Sequence, residues 1–143
     1  MKSSPLLRDF NFPEDYPQVL SLWENACSGI HIRRSDQPEE IQKKLTRDPD
    51  LFLVAEVEGK IIGSVLGAFD GRRGMVYHLA MAEDFRQQGI GSMLMAELER
   101  RLVQKGCIRC YLLVTNENDT AMRFYENSGW KEMDLHIYGK DLD

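Results

Sequence analysis

Three apolar, β-branched runs follow one another along the chain with only short turns between them. Their bounds are Leu51–Val57, Ile61–Phe69 and Met75–Met81. The turns are Glu58-Gly59 and Asp70–Gly74, and strands joined by turns this short pair antiparallel with their neighbours. Gly63 and Gly67, inside the second run, indicate a bulge or a close backbone approach. The segment therefore predicts an antiparallel meander at the centre of the fold.

The apolar period changes to that of a helix directly after the third run. Apolar residues recur at every fourth position, at Ile90, Leu94, Leu98 and Leu102. Glu97 and Arg101 occupy the polar side and support the helix as a pair, and Gly106 ends it. A new alternating run, Ile108–Val114, follows. Strand, helix and strand in this order predict a parallel crossover and hence an α/β fold.

The remaining elements are shorter and complete the predicted architecture. They are a strand at Leu6–Phe10, a helix that begins at Asp15-Tyr16-Pro17 and presents Val19, Leu20, Trp23 and Ala26, a loop at Ile30–Asp36, a helix at Pro38–Thr46, a helix at Asn118–Asn127, and a closing strand pair at Trp130–Met133 and Leu135–Leu142. We expect an α/β (α+β mixed) fold with a central mixed, mainly antiparallel sheet of six to seven strands and about four flanking helices. The length of 143 residues predicts a single domain, residues 1–143.

Charge and cysteine content exclude several classes of function. Eighteen Lys and Arg against 23 Asp and Glu give a net charge of −5, so we expect no nucleic-acid partner and no anionic membrane surface. No window approaches the ~20 apolar residues of a membrane span. Three cysteines and no leader segment favour the cytoplasm. Cys107 and Cys110 have the spacing of one half of a zinc site, but no second Cys or His pair follows them. On a strand, two thiols three residues apart would point to opposite faces. We therefore expect buried free thiols and no metal.

The segment Met81–Ser92 contains the clearest chemical signal. A strand ends, a glycine-containing turn follows and a long helix begins. Gly89 and Gly91 lack the Cβ atoms that would block a close ligand, so the neighbouring N–H groups can converge on a phosphate, helped by the helix N-terminus and by Arg86. The alternative is that both glycines only let the helix begin tightly. The pattern matches neither a P-loop nor a dinucleotide fingerprint.

Two motifs together resemble a known family. Arg86-Gln87-Gln88-Gly89-Ile90-Gly91 fits the pattern Arg/Gln-x-x-Gly-x-Gly/Ala, and the run from Asn118 to Trp130 fits Asn-x-x-Ala-x-x-x-Tyr-x-x-x-Gly-Phe with Trp130 in the place of Phe. These are the signatures of the GNAT superfamily of acetyl-CoA-dependent N-acetyltransferases. The chain is similar to its small single-domain bacterial members, the ribosomal-protein-alanine acetyltransferases. The resemblance covers nearly the whole chain and implies a GNAT-like fold.

The resemblance also implies acetyl-CoA as co-substrate and assigns roles to residues. The diphosphate of the cofactor would lie on the loop residues Arg86, Gln87, Gln88, Gly89, Ile90, Gly91 and Ser92. The pantetheine arm would pair with Leu79, Ala80 and Met81. Asn118 would contact the arm, and Tyr125 would protonate the leaving thiolate. Without the signature, Tyr125 would be interpreted as a core aromatic residue beside Phe124.

The general base does not carry over from the family. Relatives that acetylate ribosomal-protein N-termini have a carboxylate five residues before the motif Asn, and here that position is Leu113. A lysine amine (pKa ~10.4) costs about 3 to 4 kcal/mol more to present as free base at neutral pH than an α-amine (pKa ~7.7–8.0). We therefore expect an N-terminal α-amine or a small amine of low pKa, deprotonated through water or by His78. His78 as an ordinary sheet histidine is the alternative.

Leu113 also favours a second function, a non-catalytic acyl-CoA-binding regulatory module that has kept the loop and lost the base. In the family the loop after the first helix lies on the acceptor side, so residues of Ile30–Asp36 are candidates for substrate contact. The sequence does not decide the identity of the acceptor, and it leaves open whether the protein is a monomer or a homodimer.

Overall fold

The computed structural model describes residues 4–25 and 32–142 and divides into two units, Met1–Leu113 and Val114–Asp143. Ala26, Cys27 and the beginning of the predicted loop Ile30–Asp36 lie outside the described residues. The single domain of residues 1–143 stays a prediction.

The first unit is built on a sheet of five strands among the described residues. The strands are β1 (Leu6–Asp9), β2 (Phe52–Val57), β3 (Lys60–Phe69), β4 (Gly74–Met81) and β5 (Cys110–Leu112). They lie in sequence order, antiparallel from β1 to β4, and β5 pairs parallel with β4. The mixed, mainly antiparallel sheet and the parallel crossover are confirmed.

Helices pack on both faces of this sheet. They are α1 (Tyr16–Glu24), α2 (Pro38–Arg47) and α3 (Ile90–Gln104). Trp23 of α1 donates from Nε1 to Ser64 Oγ at 3.2 Å, whereas α3 packs on the neighbouring Gly63. Because side chains alternate along a strand, α1 and α3 lie on opposite faces. The α1 face holds an apolar cluster that includes Phe52 and Ile41.

Glycines in β3 bring α3 close to the sheet. A Cβ at Gly67 would lie 2.6 Å from Leu98 Cδ1, and one at Gly63 would lie 3.1 Å from Leu94 Cδ1; both leucines belong to α3. The register between β2 and β3 also shifts beside Gly63. The predicted close approach and irregularity are confirmed, and the close approach lets α3 pack directly on β3.

The side chain of Asp15 does not cap α1. It precedes the helix, but its carboxylate makes no capping hydrogen bond there. The carboxylate instead accepts from Arg8 at 2.7 Å and from the N–H of Asn11 at 2.7 Å. An Arg–carboxylate pair is a stronger interaction than a cap, and it ties β1 to the beginning of α1.

The predicted strand at Ile108–Val114 is shorter than expected. Only Cys110–Leu112 pairs with β4. Cys107 lies before the strand, so the alternation that would point the two thiols to opposite faces does not apply, and that prediction is wrong. A Cβ at Gly74 would meet Cys107 Sγ at 2.9 Å and Cys110 Sγ at 3.2 Å. Both cysteines are free thiols, as predicted, but only Cys107 is buried and Cys110 is partly exposed.

The second unit contains one helix, α4 (Asp119–Asn127), among its described residues. The predicted closing strands Trp130–Met133 and Leu135–Leu142 are not formed there, so the sheet has five strands and not six to seven. Alternation predicts a strand only if a face is buried, and here Leu135, Ile137 and Tyr138 are largely exposed.

Candidate functional site

The loop between β4 and α3 has the geometry of an anion site. Gln87 and Gly89 adopt left-handed backbone conformations, with φ of +62° and +81°. Changes of handedness between neighbouring residues let successive N–H groups converge on one point. The first N–H groups of α3 have no partner within the helix, and its positive dipole end lies at the same place. The loop can therefore hold a phosphate by main-chain donors.

One side chain ties this loop to the end of β4, and a second one braces the loop internally. Arg86 Nη2 donates to the carbonyl oxygen of Met81 at 3.3 Å, and Gln88 Nε2 donates to that of Asp84 at 3.1 Å. This hydrogen bond places the positive charge of the Arg86 guanidinium at the end of β4, where the loop begins. The predicted cofactor residues Arg86 to Ser92 thus form the end of this loop and the first turn of α3.

Along one edge, the last residues of β4 have no strand partner in the described part of the first unit. On one side Ala80 pairs with Ser64 and Met81 with Gly63. On the other side β5 pairs only with Gly74–Val76 in the described part of the first unit. The main-chain groups of Leu79–Met81 on that edge can pair with an extended, amide-bearing ligand, which is the predicted role of these residues.

His78 lies in a bulge of β4 and has a left-handed backbone. The register places Ser64 opposite Ala80 and Leu66 opposite Tyr77, so β4 has one extra residue here. His78 has φ of +45°, a conformation that few residues other than glycine adopt. Bulges and left-handed non-glycine residues cluster at functional sites because they redirect a side chain.

The bulge directs His78 toward a buried carboxylate. His78 Nε2 lies 2.8 Å from Oδ1 of Asp36, and Asp36 Oδ2 accepts from the N–H of Arg33 at 3.0 Å. The ring of Trp23 packs edge-on against the imidazole with centroids 4.8 Å apart. Burial opposes ionisation of Asp36, but the hydrogen bonds from His78 and the Arg33 N–H outweigh it and lower the pKa of the carboxyl. An ionised Asp36 can only accept, so Nε2 of His78 carries the hydrogen.

Asn118 and Tyr125 both belong to the second unit. Asn118 Oδ1 accepts from the N–H of Ala121 at 3.1 Å and so caps α4. The ring of Tyr125 packs edge-on against Phe124 and Trp130. Burial raises the pKa of Tyr125 to about 12, so its phenol stays protonated at neutral pH and can act as a proton donor.

Leu113, at the position where the relatives have a carboxylate, is 59% exposed. Over residues 4–25 and 32–142, no three His, Cys, Asp or Glu side chains are grouped as metal ligands. In the same residues, no helix has both the length and the apolar character to span a membrane.

Comparisons with known proteins agree on one family. The model of the acetyltransferase (GNAT) family matches residues 16–130. An acetyltransferase of Pectobacterium atrosepticum is 42% identical over 130 residues, covering 90% of each chain. The crystal structure of Ard1 from Thermoplasma volcanium has a TM-score of 0.79 at 24% identity, covering 91% of this chain and 84% of that one. The PaiA N-acetyltransferase of Thermoplasma acidophilum, solved with coenzyme A, has a TM-score of 0.78 at 22% identity and 93% coverage of both chains.

Proposed function

This chain belongs to the GNAT acetyltransferase family, and we propose that it transfers an acetyl group from acetyl-CoA to a primary amine. The observation that carries the proposal is the loop Arg86–Gly89 directly before α3, in which Gln87 and Gly89 have left-handed backbone conformations. This loop can present main-chain donors to an anion. The similar PaiA fold, solved with coenzyme A, supports the same cofactor. The match of the family model over residues 16–130 supports one acetyltransferase domain, which we place in the cytoplasm as a monomer or homodimer.

The loop would hold the diphosphate, and the open edge of Leu79–Met81 would pair with the pantetheine amides. This arrangement fixes the thioester at the end of β4. Fixing a reactant in this way lowers the barrier because the entropy of bringing the two reactants together is lost on binding and not in the chemical step. No metal is needed in this scheme.

The transfer needs two proton movements. The amine nitrogen attacks the carbonyl carbon, a C–N bond forms and the C–S bond breaks. The nitrogen loses a proton to His78, directly or through one water, and the thiolate takes a proton from Tyr125. Solvent then removes the proton from the imidazolium and returns one to the phenolate. Asn118, the cap of α4, would contact the cofactor arm.

The proposed acceptor is an N-terminal α-amine or a small-molecule amine of low pKa. A histidine is a weaker base than a lysine amine, so it removes a proton far more readily from an α-amine of pKa ~7.7–8.0 than from a lysine amine of pKa ~10.4. The alternative, a non-catalytic acyl-CoA-binding module, rests on Leu113. The His78–Asp36 pair weighs against this alternative, because His78 on β4 is a candidate base.

Acceptor preference is tested with one peptide prepared in two versions, one with only a free α-amine and one with only a free ε-amine. We expect faster acetylation of the α-amine near pH 7, and a ratio that falls as pH rises because the ε-amine becomes deprotonated. The measurement is the rate of free thiol release with acetyl-CoA across pH. A preference for the ε-amine at neutral pH contradicts the proposed acceptor. No thiol release with any amine of a broad panel, despite acetyl-CoA binding, supports the non-catalytic module.

A further inference from the structure

Asp36 is a buried carboxylate whose hydrogen bonds hold its side chain toward His78. It is 4% exposed and lies in the short 3₁₀ turn Arg34–Asp36 before α2. One oxygen meets His78 Nε2, and the other accepts from the N–H of Arg33. Its main-chain carbonyl accepts from the hydroxyl of Tyr16 at 2.8 Å. A buried charge is stable only when paired in this way, so its orientation toward His78 is fixed.

His78 is held from several sides. The strand bulge sets its backbone, Trp23 packs against the ring, and Asp36 contacts Nε2. About a fifth of its side chain remains exposed, so a solute can reach the ring. With Nε2 protonated and turned to Asp36, the nitrogen with a free lone pair is Nδ1.

We propose that Asp36 is a positioning residue that holds His78 in the Nε2–H tautomer, leaving Nδ1 to take the proton from the amine acceptor. The inference rests on the proposed acetyl transfer. In the step, the proton moves from the amine nitrogen to Nδ1, the imidazole becomes imidazolium, and Asp36 stays ionised and stabilises that positive charge. A base oriented by a third group is the arrangement of other nucleophilic active sites.

Other charged and titratable groups surround this pair. Arg33, directly before the 3₁₀ turn, favours the ionised form of Asp36. From α1, Tyr16 lies beside Asp36, and burial followed by the charges of Asp36, Glu39 and Glu24 raises the pKa of its hydroxyl. Tyr16 therefore stays a neutral donor over the pH range in which a histidine base titrates. Asp36 is the charged group in direct contact with the imidazole.

The tautomer is measured in the unmodified protein. Long-range ¹H–¹⁵N NMR spectra of uniformly labelled protein distinguish Nε2–H from Nδ1–H, and His78→Gln identifies the His78 signals. We expect Nε2–H when the ring is neutral. An Nδ1–H tautomer overturns the inference. This measurement does not depend on activity, so its outcome is separate from that of the proposed function, which fails if the wild-type protein acetylates no amine.

The kinetic test uses Asp36→Asn in two backgrounds. In the wild-type background we expect the kcat/KM plateau to fall at least about tenfold. The loss should fall on kcat, with KM for the amine changing less than about threefold, because Asp36 orients the base and does not bind the acceptor. In the His78→Gln background, Asp36→Asn should change the rate less than about twofold, since Asp36 acts through His78. Equal losses in both backgrounds overturn the inference.

Asp48→Asn is the matched control. Asp48 is also buried, at 5% exposed, and it pairs with Lys44 at 2.6 Å on α2. Its replacement removes a buried carboxylate of the same unit, so it should lower stability in the way that Asp36→Asn does. We expect its kcat to stay within about twofold of wild type. A loss of kcat like that of Asp36→Asn contradicts a specific role for Asp36.

Discussion

Gly89→Val is expected to weaken acetyl-CoA binding at least about 100-fold, which corresponds to about 2.7 kcal/mol of binding free energy. Gly89 has φ of +81°, and a β-branched residue in that region is a severe outlier. To accept valine, the turn must leave the conformation that aims the N–H groups at the diphosphate. The new methyl groups would also occupy the approach to those donors. Isothermal titration with acetyl-CoA measures the effect.

Gly59→Val separates this binding effect from backbone strain. Gly59 has the same φ of +81° in the turn between β2 and β3, and at both glycines an added Cβ meets no described atom within 4 Å. The two substitutions should therefore lower the free energy of unfolding by similar amounts. Only Gly89→Val should lose cofactor binding. Equal acetyl-CoA affinity in both variants and the wild type would contradict a role for the loop in binding.

Tyr125→Phe is expected to lower kcat about 100-fold or more, while acetyl-CoA affinity changes less than about threefold. Burial holds the phenol protonated, with a pKa of about 12, so the hydroxyl is available as a donor throughout the neutral range. Phenylalanine keeps the ring contacts with Phe124 and Trp130 and removes only the donor. Steady-state kinetics together with titration separate the two quantities.

Tyr138→Phe is the control for loss of a hydroxyl. Tyr138 belongs to the same unit, but its side chain is 90% exposed. We expect wild-type kcat for this variant. If Tyr125→Phe also keeps kcat within about twofold, Tyr125 is a packing residue beside Phe124, and the thiolate takes its proton from water.

Features that are local in sequence could be predicted from it. The meander, the helix from Ile90 and the glycine-containing loop each lie within a short stretch whose apolar period or glycine spacing sets the backbone. The close approach at Gly67 was also predictable, because a missing side chain in a strand leaves room for a neighbour. The closing strands were predicted wrongly because alternation continues after Trp130, but periodicity alone does not show whether a strand has a partner or a buried face.

The Asp36–His78 pair shows what sequence cannot supply. The two residues are 42 positions apart and meet because the 3₁₀ turn Arg34–Asp36 lies against the bulge in β4. Neither the left-handed backbone of His78 nor the extra residue in β4 has a signal in the sequence, since no glycine or turn motif marks the position. His78 could be named as a base candidate from its place before the loop. Its partner required the fold.

The most direct test of the central claim compares acetyl-CoA with S-acetylpantetheine, which keeps the thioester and arm but lacks the diphosphate and the 3′-phosphoadenosine attached to it. If the loop at Arg86–Ser92 holds the diphosphate, titration of the wild-type protein with acetyl-CoA gives saturable heat, and S-acetylpantetheine binds at least about 30-fold more weakly, a loss of about 2 kcal/mol. Equal affinities for the two thioesters, or no heat from acetyl-CoA at millimolar concentration, would contradict the account.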